Sequence, residues 1–304
     1  MLNEKSKKNL SILVLDHNDD ESLLHAISSI NNQIGFKKEL IEIIILTRRN
    51  FDELSVKFAI FSDLDLRYIF VPETNDGVAW NMGLSAMHGA WVTFLDSRDQ
   101  LYADGSLLDF MNCMGTPQNA VDILIFKYVY PIMDDENRVI DFKNADYANV
   151  IYGKYFNWNF IQRMNLQMNS NLDRYLLDDF VSRALALRPD SKWYDYANYF
   201  LSDRGEIADN VEEFIEYRHH FMQFITEKNV QRNDYVSDLV WSITNASELV
   251  LAANLENNAI ILKKLAALCE FGSKMGEVAI LVNDYFVDKG LTNRISYQKI
   301  MEYK

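Results

Sequence analysis

Four short apolar runs alternate with longer polar stretches: LSILVL (residues 10–15), IEIIIL (41–46), RYIFVP (67–72) and WVTFL (91–95). Each has the length of a strand and is apolar almost throughout, as a strand buried on both faces must be. Between the first two runs, Leu23, Leu24, Ile27 and Ile30 recur at helical spacing, with Asp19 or Asp20 placed to cap the start. FDELSVKFAIFSDL fills the second gap as a helix. NDGVAWNMGLSAMHG fills the third as a turn and a helix stopped by Gly89. This alternation predicts βαβ units: an α/β fold with a mostly parallel sheet, helices on both faces and right-handed crossovers. Such sheets bind ligands at the carboxyl ends of their strands. The polar clusters after Leu15, Leu46, Pro72 and Leu95 therefore share one edge, either as a working site or as ordinary solvated loops.

Further along, VDILIFKYVYPIMDDENRVIDF reads as two strands around a loop. Helices are expected near 157–165 and 177–187, and KWYDYANYFLS reads as an aromatic strand. From about residue 206 the texture changes. Four successive segments carry apolar residues at i, i+3, i+4 and i+7, the signature of amphipathic helices. The expected division is an α/β domain over residues 1–205 and a helical region over 206–304. The helical region offers a surface for homo- or hetero-oligomers.

The formal net charge of −14 argues against a nucleic-acid partner, which needs a basic footprint. No stretch approaches the roughly 18 apolar residues of a membrane span. The run SILVL is too short for the core of a signal peptide. Cys113 and Cys269 form no CxxC pair, so reduced thiols in a cytoplasmic protein are expected. His219 and His220 are adjacent on a predicted helix, where neighbours do not share a face, and are not read as a metal pair.

The motifs SILVLDHN, LLHAISSINNQ, IEIIILTRRN and NDGVAWNMGLSAMHGAWVTFLDSRD, taken in order, resemble inverting glycosyltransferases of family 2, with the GT-A fold. That family opens with a strand ending in a Pro-x-Tyr-Asn-like turn, a helix ending in Gln, and a strand ending in Asp-Asp-Gly-Ser. It continues with an Arg-Asn-x-Gly helix and a strand running into Asp-x-Asp-Asp. The match covers about residues 10–110 and continues more weakly through IYGKYFNWNFIQRMNL, RYLLDDF and YFLSDRGEI. Framework positions are kept while several ligand positions differ. His17 stands at the family's Tyr, with Asn18 retained. Thr47 and Arg48 replace the two acids that face the nucleobase. Trp80 replaces the helix Arg, with Asn81 and Gly83 retained, and Arg98 occupies the third position of the acidic motif. Ser202 stands where the family has an Arg, with Arg204 close by.

The resemblance implies transfer of a sugar from a nucleotide-sugar donor, a UDP-sugar first, to a glycan or protein acceptor. Such chemistry needs a neutralised diphosphate, a base for the acceptor hydroxyl and a held nucleotide. It implies His17, Asn18, Thr47, Arg48, Asn81, Asp96 and Arg98 at the donor, and Asp178 as base with Asp179 one residue away. Mn or Mg would be held by Asp96 and Asp99. Alternatively no metal binds and Arg98, whose fork suits phosphate oxygens, takes the cation's place. Fold does not fix function. A second reading is a catalytically inactive binding or assembly module that partners an active transferase.

Overall fold

The computed structural model describes residues 8–72, 75–114, 121–136, 138–145, 150–202, 210–230 and 232–304. The polar cluster expected just after Pro72 begins outside these residues, and so does Arg204. By internal contacts the chain divides into two compact units. One comprises Met1–Ser170 and Arg188–Gly205, and the other Asn171–Leu187 and Glu206–Lys304.

The first unit is built on a sheet. Strands β1 (Leu10–Leu15), β2 (Ile41–Thr47), β3 (Leu66–Phe70) and β4 (Trp91–Asp96) lie where the apolar runs predict them. They are parallel, in the order β3-β2-β1-β4. Every residue of β1 and β2 is buried, because helices cover both faces. Helix α1 (Asp20–Asn31) is capped by Asp19, whose carboxylate accepts from the Glu21 and Ser22 N–H groups at 3.3 Å. Its stripe of Leu23, Ala26, Ile27 and Ile30 shares a core with Leu10, Ile12 and Val14 of β1. Each such aliphatic side chain contributes roughly 1.5–3 kcal/mol when fully buried.

Helix α2 (Phe51–Lys57) precedes β3, and α3 (Asp76–Ala86) covers the other face of the sheet. At Gly83 a Cβ would lie 3.1 Å from side-chain carbons of both Leu13 and Leu46, so glycine lets α3 approach the strands. Trp80 of the same helix is 2% exposed and sets its ring edge-on against Phe94, 5.3 Å between centroids. It is a core residue.

After β4 the sheet becomes mixed. A two-residue strand β5 (Gln100–Leu101) and helix α4 (Ser106–Met114) lead into β6 (Ile123–Met133) and β7 (Val139–Ala145), the expected hairpin. Strand β8 (Lys154–Asn157), which the periodicity does not reveal, slots antiparallel between β4 and β6. Helix α5 (Trp158–Met164) follows it. Strand β9 (Ser191–Phe200) runs parallel to β6 and pairs with β5 at its far side.

The second unit is helical: α6 (Leu176–Ala186), α7 (Val211–Glu227), α8 (Arg232–Ala252), α9 (Ala259–Glu270), α10 (Gly276–Asp288) and a short α11 (Tyr297–Met301). By contacts α6 groups with these C-terminal helices. Among the described residues no helix is long and apolar enough to cross a membrane.

Candidate active site

Strands β1 and β4 are neighbours, with Leu15 level with Asp96. From β1 the chain builds β2 and β3 to one side, then returns to lay β4 on the other. This reversal is the switch point, where open α/β sheets hold ligands. Two carboxylates organise its edge.

Asp16 directly follows β1 and is fully buried. Its Oδ1 accepts from the Asn18 N–H at 2.9 Å and Arg49 Nη2 at 2.8 Å. Its Oδ2 accepts from the Thr47 hydroxyl at 2.7 Å and Arg49 Nε at 2.8 Å. The fork of Arg49 thus compensates a carboxylate that could not otherwise be buried in its charged form. Asn18 reaches its bond by adopting φ 64, a left-handed conformation that Asn tolerates. Arg49 also contacts Asp20, which pairs with Lys57. Arg48 turns the other way and donates to Asp76 Oδ1 at 2.6 Å, tying the end of β2 to the start of α3.

Asp96 ends β4. Arg98 places Nε 2.8 Å from its Oδ1 and Nη2 2.6 Å from its Oδ2, and the Arg98 N–H donates to Oδ1 at 2.9 Å. His17 Nε2 lies 2.9 Å from Asp96 Oδ2 and 3.2 Å from Arg98 Nη2. The Asp96 side chain is 12% exposed and that of Arg98 40%, so the guanidinium is the solvent-facing member. Asp99 is fully buried instead. It accepts from the Tyr199 hydroxyl at 2.6 Å and the Ser202 N–H at 3.0 Å. Burial, and then the Asp99 charge, push the Tyr199 hydroxyl well above its usual pKa, so it remains a donor.

These residues do not fit a divalent cation. Both oxygens of Asp96 are paired with the Arg98 guanidinium, and Asp99 is fully buried, with the Tyr199 hydroxyl on one oxygen and the Ser202 N–H on the other. Among the described residues no group of three or more His, Cys, Asp or Glu is arranged to hold a metal.

Of the residues singled out in the sequence, His17, Asn18, Thr47, Arg48, Asp96 and Arg98 gather at this edge. Asn81 is engaged elsewhere: its amide donates to the Met168 carbonyl and accepts from the Met168 N–H, both at 2.9 Å. Asp178 and Asp179 lie in the second unit, in the first turn of α6. Asp179 is fully buried there. Arg183 Nε donates to its Oδ2 at 2.8 Å, and His220 Nδ1 lies 2.8 Å from its Oδ1. Asp178 is half-buried, and its charge raises the pKa of the Tyr217 hydroxyl nearby, behind the larger effect of burial. The sequence reading missed Asp16, the hub of the edge. Its signal was an acid directly after the first apolar run, facing two arginines directly after the second.

A parallel strand half, a mixed second half and an acid at the switch point fit the GT-A fold of glycosyltransferases. Residues 11–176 match the sequence profile described as glycosyl transferase family 2, and the chain belongs to that family. No curated protein matches the sequence. Among solved structures, the 1–349 portion of S. aureus TarS in complex with UDP-GlcNAc is similar. It has a TM-score of 0.73 and 16% identity, and the match covers 97% of this chain and 90% of that one. Against the longer S. aureus TarS structure the TM-score is 0.69 at 15% identity, over 97% of this chain but 55% of that one. The mannosyltransferase PcManGT from Pyrobaculum calidifontis, in complex with GDP-Man and Mn2+, gives 0.50 at 12% identity, over 98% and 86%. At these identities the likeness is one of fold.

Proposed function

We propose that the protein is an inverting, metal-independent glycosyltransferase that moves a sugar from a UDP-sugar to a glycan or protein acceptor in the cytoplasm. The observation that carries this reading is the His17–Asp96–Arg98 cluster at the switch point. A transferase must offset the negative charge that grows on the departing diphosphate. Arg98 carries a permanent charge in a fork that suits phosphate oxygens, and Asp96 fixes its orientation in advance. Similar folds that hold UDP-GlcNAc, UDP and GDP-Man support a nucleotide-sugar donor.

In the proposed step an acceptor hydroxyl attacks the anomeric carbon opposite the diphosphate. The new C–O bond forms as the bond from that carbon to the phosphate oxygen breaks, so the configuration inverts. Asp178, to which the resemblance gives the role of base, takes the hydroxyl proton, and UDP leaves with its charge offset by Arg98. Asp179 is a poor choice for that task because its carboxylate is buried and held by Arg183 and His220.

One observation favours the second reading, an inactive binding or assembly module. The Asp96–Arg98 pair is already charge-balanced before any donor arrives. The two readings separate in a UDP-release assay with UDP-glucose, UDP-galactose and UDP-N-acetylglucosamine in the presence of EDTA, in which water stands in for the acceptor and receives the sugar. The transferase reading expects release above background that is lost in Asp178→Asn. Binding without release from any donor supports the inactive module.

A further inference from the structure

Helices α3 and α5 and the turn after α5 enclose a pocket of about 310 Å3 that is not part of the donor edge. Helix α5 starts beside Trp91, at the opposite end of β4 from Asp96. That is roughly 17 Å along the strand, at ~3.3 Å per residue. From this pocket's chemistry we infer a second, non-catalytic subsite for a neutral saccharide. The inference goes beyond the proposed transfer reaction and does not rest on it.

The lining contains no charged side chain, which disfavours phosphates, carboxylates and cations as ligands. Its polar groups are the amides of Gln162, Asn165 and Gln167 and the hydroxyl of Ser85, beside Asn81, whose amide is engaged by Met168. A side-chain amide donates and accepts at once, as a sugar hydroxyl does. The remaining wall includes the half-buried indole of Trp158, an apolar surface suited to the C–H face of a pyranose. Ligand pockets run from about 300 to 1,000 Å3, so this one suits a single ring of a glycan.

The backbone around the pocket is braced before any ligand arrives. Asn81 clamps both the N–H and the carbonyl of Met168, and Asn75 donates to the Ser170 carbonyl. Asn165 caps α5 at φ 52, in the left-handed region, which sets the direction of the turn. Such preorganisation lowers the ordering cost of binding. The side-chain amides of Gln162 and Asn165 make no hydrogen bond within the described residues, so they remain available to a ligand.

The test is saturation-transfer NMR on the full chain with glucose, N-acetylglucosamine and maltose as separate probes, with and without UDP. The double variant Gln162→Ala/Asn165→Gly removes two amides. Alanine suits an exposed helix position and glycine suits a left-handed cap, so the fold is retained. The inference expects transfer to at least one sugar, indifferent to UDP and lost in the double variant. No transfer to any probe overturns it, as does transfer that UDP abolishes or that the double variant leaves unchanged.

Discussion

Arg98 holds both oxygens of Asp96, with Nε at 2.8 Å and Nη2 at 2.6 Å. Only one residue separates the two, so the charge is tethered and needs no recruitment from solution. His17, arriving from the end of β1, closes the cluster from the other side of the switch point. The acidic motif at the end of β4 is therefore not simply eroded. Its third position is a guanidinium paired to the carboxylate at its first.

Asp178 and Asp179 should separate cleanly by mutation. Asp179→Asn leaves Arg183 without its buried partner and should cost about 3–5 kcal/mol in urea unfolding. Asp178→Asn should slow transfer by about 100- to 10,000-fold, the usual worth of a general base. The opposite pattern would make Asp179 the base and Asp178 the structural carboxylate.

Glu42 predicts a pH dependence at the far edge of the sheet. Burial alone would raise its pKa. The Ser11 hydroxyl, the His88 N–H, Arg67 and the His88 ring outweigh that effect and hold it below the ordinary 4.5. A depressed carboxylate contributes stability that is fully present above its unfolded pKa and lost as pH falls through the folded one. The stability advantage of the native chain over Glu42→Gln should therefore be constant near neutral pH and shrink below pH 4.5. Thermal unfolding of both proteins across that range checks it, and a constant difference down to about pH 3 would contradict it.

Asn81 should behave as a brace. Asn81→Ala removes two hydrogen bonds and leaves the Met168 peptide groups unpaired, at a cost of about 1–3 kcal/mol. UDP affinity should not change. A large loss of affinity at unchanged stability would return Asn81 to the donor site.

The parallel half of the sheet was legible because its strands are buried on both faces, so LSILVL and IEIIIL carry little but apolar residues. Strand β8 was not, because KYFN is short and has no period of its own, and its place is set by β4 and β6 on either side. At the site, position was legible and role was not. Asn81 and Gly83 kept their motif, yet one clamps a loop and the other admits a helix to the sheet. Asp96 and Asp99 look alike in sequence, but one meets Arg98 and the other the Tyr199 hydroxyl, a contact across 100 positions. Side-chain partners so distant in sequence leave no local pattern to read.

The most direct measurement is calorimetric titration of UDP into the native chain and Arg98→Ala, each with EDTA and with manganese. The account predicts that the native chain binds UDP equally well in both conditions. It also predicts that Arg98→Ala binds at least about tenfold more weakly in EDTA, the ~1.4 kcal/mol of a lost charge-assisted contact. Binding by the native chain that requires manganese, or no binding of UDP at all, would contradict it.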